Sequence, residues 1–262
     1  MEDRLDRRAL FWTSTSTLVL AALLATVLHE ASHAVAGLVV GRTSTLYPFQ
    51  VVFDGSATTG QEVATAATGP AFSLVSGLVL LAVSRTWGHG WVRLLWTWLS
   101  LVSIQNGVGY LLIAPLAPAG DTGRVLALTG APGWVSALSL VAGVVGTLAL
   151  SWVLATRVVR WTRDPDELRA IVIFPWLAAT GTVVVVQLLV LLQVDAGADV
   201  VVTVLAAAVA VAIFAPMFSF FYRRVDVPHE DLGLGPPRVP LVLAAVAVLL
   251  VVLVVARGVP VG

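Results

Sequence analysis

Two histidines and a glutamate stand close together within an otherwise apolar run. Residues 29–33 read His-Glu-Ala-Ser-His, which is the pattern H-E-x-x-H. Residues four apart in a helix share one face, with Cβ atoms about 5–6 Å apart, so His29 and His33 can bind one Zn²⁺ through nitrogen at about 2.0–2.1 Å. Glu30 then lies beside the metal, where it can act as general base on a metal-bound water. The spacing predicts a catalytic zinc site.

The apolar surroundings of this motif strengthen the metal interpretation. An ionised side chain at the centre of a membrane span costs at least about 2.5–3.5 kcal/mol on insertion scales, so such residues are functional candidates by default. The alternative is chance, or two histidines that are satisfied inside a helix bundle. That alternative needs a separate purpose for each of three costly residues on adjacent turns, and we therefore favour the metal.

A catalytic zinc usually has three protein ligands and one open position, so a third ligand must come from elsewhere. The acids near predicted span ends are Asp54, Glu62 and Asp121, and His89 is the nearest other imidazole. His89 lies in a glycine-flanked turn that favours a solvated histidine, and Asp54 is explained by its Asp-Gly turn. Asp121 follows a proline-broken helix end and is either a ligand or the N-cap of a short helix.

The elements that position these residues are predicted to be membrane spans. The chain is 58% hydrophobic and 11% charged, against about 25% charged residues in average usage. We therefore predict an all-α fold, a polytopic transmembrane helix bundle in a single membrane domain over residues 1–262. Runs of about 20 apolar residues predict seven spans, with six as the alternative: 14–40, 66–84, 92–114, 134–156, 169–193, 199–221 and 239–256.

The connections between the spans are short, and two of them carry local signals. Residues 41–65 contain the β-prone run TLYPFQVVF, which ends at Asp54-Gly55 and predicts a short surface hairpin near residues 44–60. Residues 115–133 begin with Pro115 and Pro118, which cannot continue a helix. Net charge is zero and the chain has no cysteine, which excludes a basic nucleic-acid surface, disulfides and cysteine-ligated metals.

The arginines predict an orientation in the membrane. All fifteen basic residues are arginines. With seven spans and the N-terminus inside, Arg42, Arg124 and Arg257 lie outside and the other twelve lie on the cytoplasmic side. Cytoplasmic loops are enriched in arginine and lysine, so this count favours an N-terminus inside.

At these residues the chain resembles the site-2 protease family, the intramembrane zinc metalloproteases. The first span carries the family's H-E-x-x-H as His29–His33. The second span carries Gly69 and Ser73, similar to the family's glycine followed four residues later by Asn, Ser or Gly. The third span ends in PLAPAGDTG, which resembles the family's proline-rich approach to Leu-Asp-Gly-Gly. The resemblance covers residues 14–130, as a zinc-protease core of three spans, and leaves 134–262 as four additional spans of unknown role.

The resemblance implies that Asp121 is the third zinc ligand and that Gly69 and Ser73 hold an unwound substrate strand. Small residues at this spacing also let membrane helices approach closely. Asn106, a further candidate substrate contact, and Gln105 are polar within the third span and either line a water-filled cavity or make interhelical hydrogen bonds, which we favour. The chain departs from the family at GDTG and at the missing asparagine before the proline, which bears on substrate handling more than on metal binding.

These features predict an integral, multi-pass zinc metalloendopeptidase of a prokaryotic cell membrane. It would hydrolyse a peptide bond in or near the transmembrane segment of a membrane protein or peptide, within the lipid bilayer. One alternative is a metal-ion or proton-coupled transporter that uses His29, Glu30 and His33 as a relay. Another is a non-catalytic relative that binds membrane segments. The family's active site usually faces the cytoplasm, whereas the arginine count indicates the opposite side.

Overall fold

The computed structural model describes residues 7–84, 86–116, 120–193 and 221–262. Its helices are α1 Arg7–Val39, α2 Thr59–Val83, α3 Gly90–Ile113, α4 Asp121–Leu128, α5 Gly133–Val159, α6 Pro165–Leu168, α7 Phe174–Leu191 and α8 Arg238–Leu253. A π-helical turn, Arg169–Ile173, joins α6 to α7, and 3-10 turns cover Tyr222–Arg224 and Val255–Arg257. The strands are β1 Ser44–Tyr47, β2 Gln50–Phe53 and β3 Val259–Val261.

Five helical segments of the described chain are long and apolar enough to cross a membrane: Arg7–Val39, Thr59–Val83, Gly133–Val159, Pro165–Leu191 and Arg238–Arg257. The predicted count of seven spans is therefore not confirmed. The predicted span 92–114 does form a helix, α3, but its polar Gln105 and Asn106 and its three tryptophans leave it outside this set. The predicted span 199–221 lies outside the described residues except for its last position.

Helix α1 is the central helix of the bundle and carries both candidate metal-binding histidines. Helices α2, α3, α7 and α8 all pack against it. At about 1.5 Å per residue, its 33 residues extend about 50 Å, which exceeds the roughly 30 Å hydrocarbon core of a bilayer. His29 and His33 lie near the end of this helix, so the site is closer to one end of the bundle than to its middle.

Pro175 anchors α7 to α1 through a break in helical hydrogen bonding. Because proline has no N–H, the carbonyl of Ile171 one turn earlier loses its helical partner, and the chain widens there into the π turn. The Ser14 hydroxyl donates to that carbonyl oxygen at 2.6 Å, and the Trp98 indole N–H donates to Ser14 Oγ at 3.2 Å. This junction fixes α1, α3 and α7 against one another.

A small antiparallel sheet covers the end of α1 that carries the site. Its strand order is β2-β1-β3, so β1 pairs with both neighbours. The predicted hairpin is present, but the chain reverses at Pro48–Phe49 rather than at Asp54-Gly55, because proline presets the backbone of a tight turn. The third strand was not predicted. Its residues, 259–261, pair with a strand more than 200 positions earlier in the chain.

Several ion pairs between arginines and acidic residues lie at one end of the bundle. Arg7 at the start of α1 pairs with Asp164 at 3.3 Å. Arg93 in α3 and Arg160 after α5 both pair with Glu230. The hydrogen bond from Arg93 holds the pKa of the Glu230 carboxyl below its usual range. Arg7, Arg93 and Arg160, which were predicted to be cytoplasmic, therefore lie at the end of the bundle opposite the sheet.

Candidate metal centre

Both histidines and Asp121 converge on one point. The histidines lie one turn apart near the end of α1, and Asp121 is the first residue of α4. Asp121 Oδ2 lies 3.0 Å from His29 Nε2 and 3.2 Å from His33 Nε2, and the two Nε2 atoms are 3.2 Å apart. Ligand atoms about 2.0–2.1 Å from a tetrahedral zinc are about 3.3–3.4 Å apart. The triangle therefore has the dimensions of one face of a zinc coordination shell.

The tautomer of His33 supports a cation at this point. His33 Nδ1 lies 2.7 Å from the carbonyl oxygen of Thr65, and because a carbonyl only accepts, Nδ1 carries the proton. In the neutral ring, Nε2 then directs a lone pair toward the Asp121 carboxylate. A lone pair and a carboxylate repel unless a metal ion, or a second proton on His33, lies between them. The three side chains therefore fit a bound metal.

Asp121 acts toward the histidines rather than as a helix cap. Gly120 occupies the N-cap position of α4, and no side chain caps that end. Burial raises the pKa of the Asp121 carboxyl, but the adjacent His29 and His33 outweigh it and hold the pKa well below its ordinary value. A bound metal ion would favour the ionised carboxylate as well, which is the form in which Asp121 can be a ligand.

Comparison with known proteins supplies no precedent for this arrangement. No protein-family model, curated protein or solved structure matches the chain. The resemblance to the site-2 protease family over residues 14–130 therefore stays a prediction.

The second predicted motif lies directly behind the two histidines. Ser73 is buried in α2, and its hydroxyl lies 2.9 Å from His29 Nδ1. A partner on the second ring nitrogen fixes the orientation of a metal-binding imidazole. The Thr65 carbonyl has the same role for His33. Ser73 therefore orients a candidate ligand in this structure, and its predicted contact to substrate stays a prediction.

Gly69 lets α2 approach the ligand atoms. A Cβ at this position would lie 2.7 Å from His29 Nε2 and closer still to His33 Nε2. Gly77, two turns further on, would place its Cβ 2.7 Å from the backbone nitrogen of Ile104 in α3. The small residues of α2 thus permit the predicted close packing, and Gly69 packs against the histidines themselves.

Glu30 lies between two chambers. A polar vestibule of about 370 Å³ lies at the end of the bundle that carries the sheet. His33, Asp121 and other charged residues line it. An apolar cavity of about 130 Å³ extends from His29 into the bundle. Three residues line both chambers: Glu30, Phe49 and Tyr110. Glu30 therefore borders the polar vestibule on one side and the apolar cavity on the other.

Tyr110 is a site residue that the sequence did not single out. Its ring stacks on His29, with centroids 5.2 Å apart and an interplanar angle of 7°. Tyr110 also lines both chambers together with Glu30. The available signal was that Tyr110 is the one tyrosine within a predicted span, since Tyr47 and Tyr222 lie outside all seven.

The other acids and the histidine considered as ligands are not part of this cluster. Asp54 accepts a hydrogen bond from Thr43 in the hairpin, and His89 immediately precedes α3. Glu62 forms an ion pair with Arg124 at 3.3 Å, which ties α2 to α4 beside Asp121. Among the residues that the structure describes, His29, His33 and Asp121 are the cluster whose ligand atoms come close enough to share an ion.

Proposed function

We propose that this protein is a membrane-embedded zinc metallopeptidase that hydrolyses a peptide bond in or near a membrane segment of its substrate. The observation that carries the proposal is the convergence of His29, His33 and Asp121, with Glu30 beside them at the border of two chambers. Two imidazoles and one carboxylate are a donor set typical of catalytic zinc. Their geometry favours a metal site over a relay of titrating groups, because three ligand atoms converge on one point.

The polar vestibule gives water a route to the site. His33, Glu62, Asp121 and Arg124 line it, and the Asp121 side chain is 24% exposed. Hydrolysis consumes water, and a site enclosed by apolar helices needs a polar approach for it. The vestibule meets this need at the end of the bundle that carries the sheet.

Glu30 provides the proton transfers that amide hydrolysis requires. As the oxygen of water bonds to the carbonyl carbon, its proton passes to the Glu30 carboxylate. The C–N bond then breaks, and Glu30 returns that proton to the leaving amine nitrogen. A bound zinc ion would polarise the attacking water and the scissile carbonyl. His29 and His33 stay fixed by Ser73 and Thr65.

A reconstituted assay tests this function. Purified protein is mixed in liposomes with a library of single-span membrane peptides, and products are identified by mass spectrometry. We expect cleavage within or next to the apolar segment, loss of cleavage after chelation, and recovery on adding Zn²⁺. Transport of zinc into sealed liposomes with no cleaved peptide would instead support the transporter alternative.

The candidate metal centre lies at the end of the bundle that carries few of the described arginines. Arg42 contacts Phe53 of the sheet, Arg124 lies in α4 and Arg257 precedes β3. The arginine cluster around Glu230 lies at the opposite end. By the positive-inside rule, we propose that the vestibule opens on the non-cytoplasmic side.

Single cysteines report this orientation without background, because the chain has no cysteine of its own. Ser56 is exposed beside the sheet, and Thr86 is exposed between α2 and α3 at the other end. We expect a membrane-impermeant maleimide to label Ser56→Cys in intact cells and Thr86→Cys only after permeabilisation. The reverse pattern would place the site on the cytoplasmic side.

A further inference from the structure

The apolar cavity beside Glu30 is large enough for a sizeable side chain. Its volume is about 130 Å³, close to the roughly 150 Å³ apolar cavity that admits benzene in a protein core. Leu18, Ala22, Val102 and Val183 contribute to its walls. From residue 30 back to residue 18 along α1 is about 18 Å at 1.5 Å per residue. The cavity therefore leads from the reacting groups into the apolar interior.

Gln105 places an unpaired amide at the wall of this cavity. Its side chain is 6% exposed, and among the residues that the structure describes neither Oε1 nor Nε2 has a hydrogen-bond partner. The sequence favoured interhelical hydrogen bonds for Gln105, and none is found among the described residues. A buried amide without partners is destabilising, so an amide kept here points to a partner outside the described residues, and a ligand bound in the cavity would supply one.

The missing partner has a definite chemistry. Gln105 offers one acceptor and two donors, which matches a peptide group that presents one N–H and one C=O. A helix must unwind before a peptidase can reach its carbonyl, and unwound backbone in an apolar medium has unsatisfied groups that cost several kcal/mol each. An amide of glutamine next to the site can satisfy one such peptide unit.

We propose that the apolar cavity is a specificity subsite for the substrate of the function proposed above, on which this inference rests. It receives a large apolar side chain next to the scissile bond, and Gln105 hydrogen-bonds the backbone of the unwound stretch. The cavity begins at His29 and Glu30, so its occupant is continuous with whatever reacts there. An acidic side chain is disfavoured because the described residues of the wall are mostly apolar and include no arginine.

A binding experiment tests the subsite independently of hydrolysis. The Glu30→Gln protein in nanodiscs is titrated with a fluorescent apolar peptide of about 20 residues that carries a central Leu-Gly-Pro sequence. A second peptide has aspartate in place of that leucine. A third has a photoreactive phenylalanine there, and its cross-links are mapped by mass spectrometry. We expect cross-links to Val102 or Val183 and at least tenfold weaker binding of the aspartate peptide.

Two substitutions separate recognition from structure. Gln105→Leu in the same background should raise the melting temperature, because a buried unpaired amide is removed, and should weaken binding of the leucine peptide about tenfold. Ala22→Phe fills the cavity from its wall and should weaken that binding at least as much. A merely structural role for Gln105 would not move stability and affinity in opposite directions.

Three results would overturn the subsite: equal binding of both peptides, cross-links that map outside the cavity, or unchanged affinity in Gln105→Leu. Occupation of the cavity by residues 199–221 of the chain or by a lipid acyl chain would appear as the second result. Cleavage of peptides by the wild-type protein is measured separately. Its loss would refute the proposed function while leaving peptide binding in the cavity testable.

Discussion

Replacing Glu30 by glutamine is expected to abolish peptide hydrolysis while the protein keeps its metal. Glutamine has nearly the shape of glutamate but has no carboxylate to accept the proton of the attacking water. General acid–base catalysis contributes about 10²–10⁴-fold to rate, so kcat should fall by at least that range. Metal content should match wild type, because His29, His33 and Asp121 are untouched and Glu30 is not part of their triangle.

The matched control for this change is Asp226→Asn. Asp226 is exposed and lies far along the chain from the site, between the 3-10 turn and α8. Its conversion to an amide should leave both the rate and the metal content at wild-type values. If Glu30→Gln retained wild-type hydrolysis with its metal bound, Glu30 would not be the base. If it lost the metal, Glu30 would be a ligand.

Replacing Gly69 by alanine is expected to eliminate metal binding. In a helix interior, alanine is favoured over glycine by about 0.8–1 kcal/mol, so local propensity alone predicts a harmless or stabilising change. The new methyl group would instead lie 2.7 Å from His29 Nε2 and closer to His33 Nε2. The drop in affinity should exceed the roughly 10–100-fold loss that changes beside a metal ligand cause. Competition against a chelator of known affinity measures it.

Gly60→Ala, in the first turn of the same helix, is the control for that substitution. A Cβ there meets no atom within 4 Å. The variant should bind metal like wild type, and both alanine variants should elute as single species of the wild-type size. Equal metal affinity in the two variants would mean that α2 does not approach the ligands as closely as the structure shows.

The part of the site that could be predicted from sequence is the part encoded by local spacing. His29 and His33 are four residues apart on one helix, and the structure places their Nε2 atoms 3.2 Å apart. Asp121 was ambiguous by local pattern, because an acid at a helix start is also a typical cap. The position of its carboxylate depends on how α4 packs, which only the fold decides.

Other features depend on contacts between distant segments. Gly69 has a small-residue pattern that predicts packing, yet its partner is the histidine pair rather than only another helix. The amide of Gln105 was predicted to bridge helices but has no partner among the described residues, because polarity within a span does not determine where a partner lies. The pairing of β3 with β1 joins residues separated by more than 200 positions, and no local pattern predicts it.

The metal content of the purified protein tests the central claim most directly. Plasma mass spectrometry should find one zinc ion per chain in wild type and almost none in His33→Ala. His89→Ala should keep the full amount, because His89 is exposed ahead of α3 and outside the cluster. A wild-type protein that holds no metal after incubation with zinc, or a His33→Ala variant that retains a full equivalent, would contradict the proposed site.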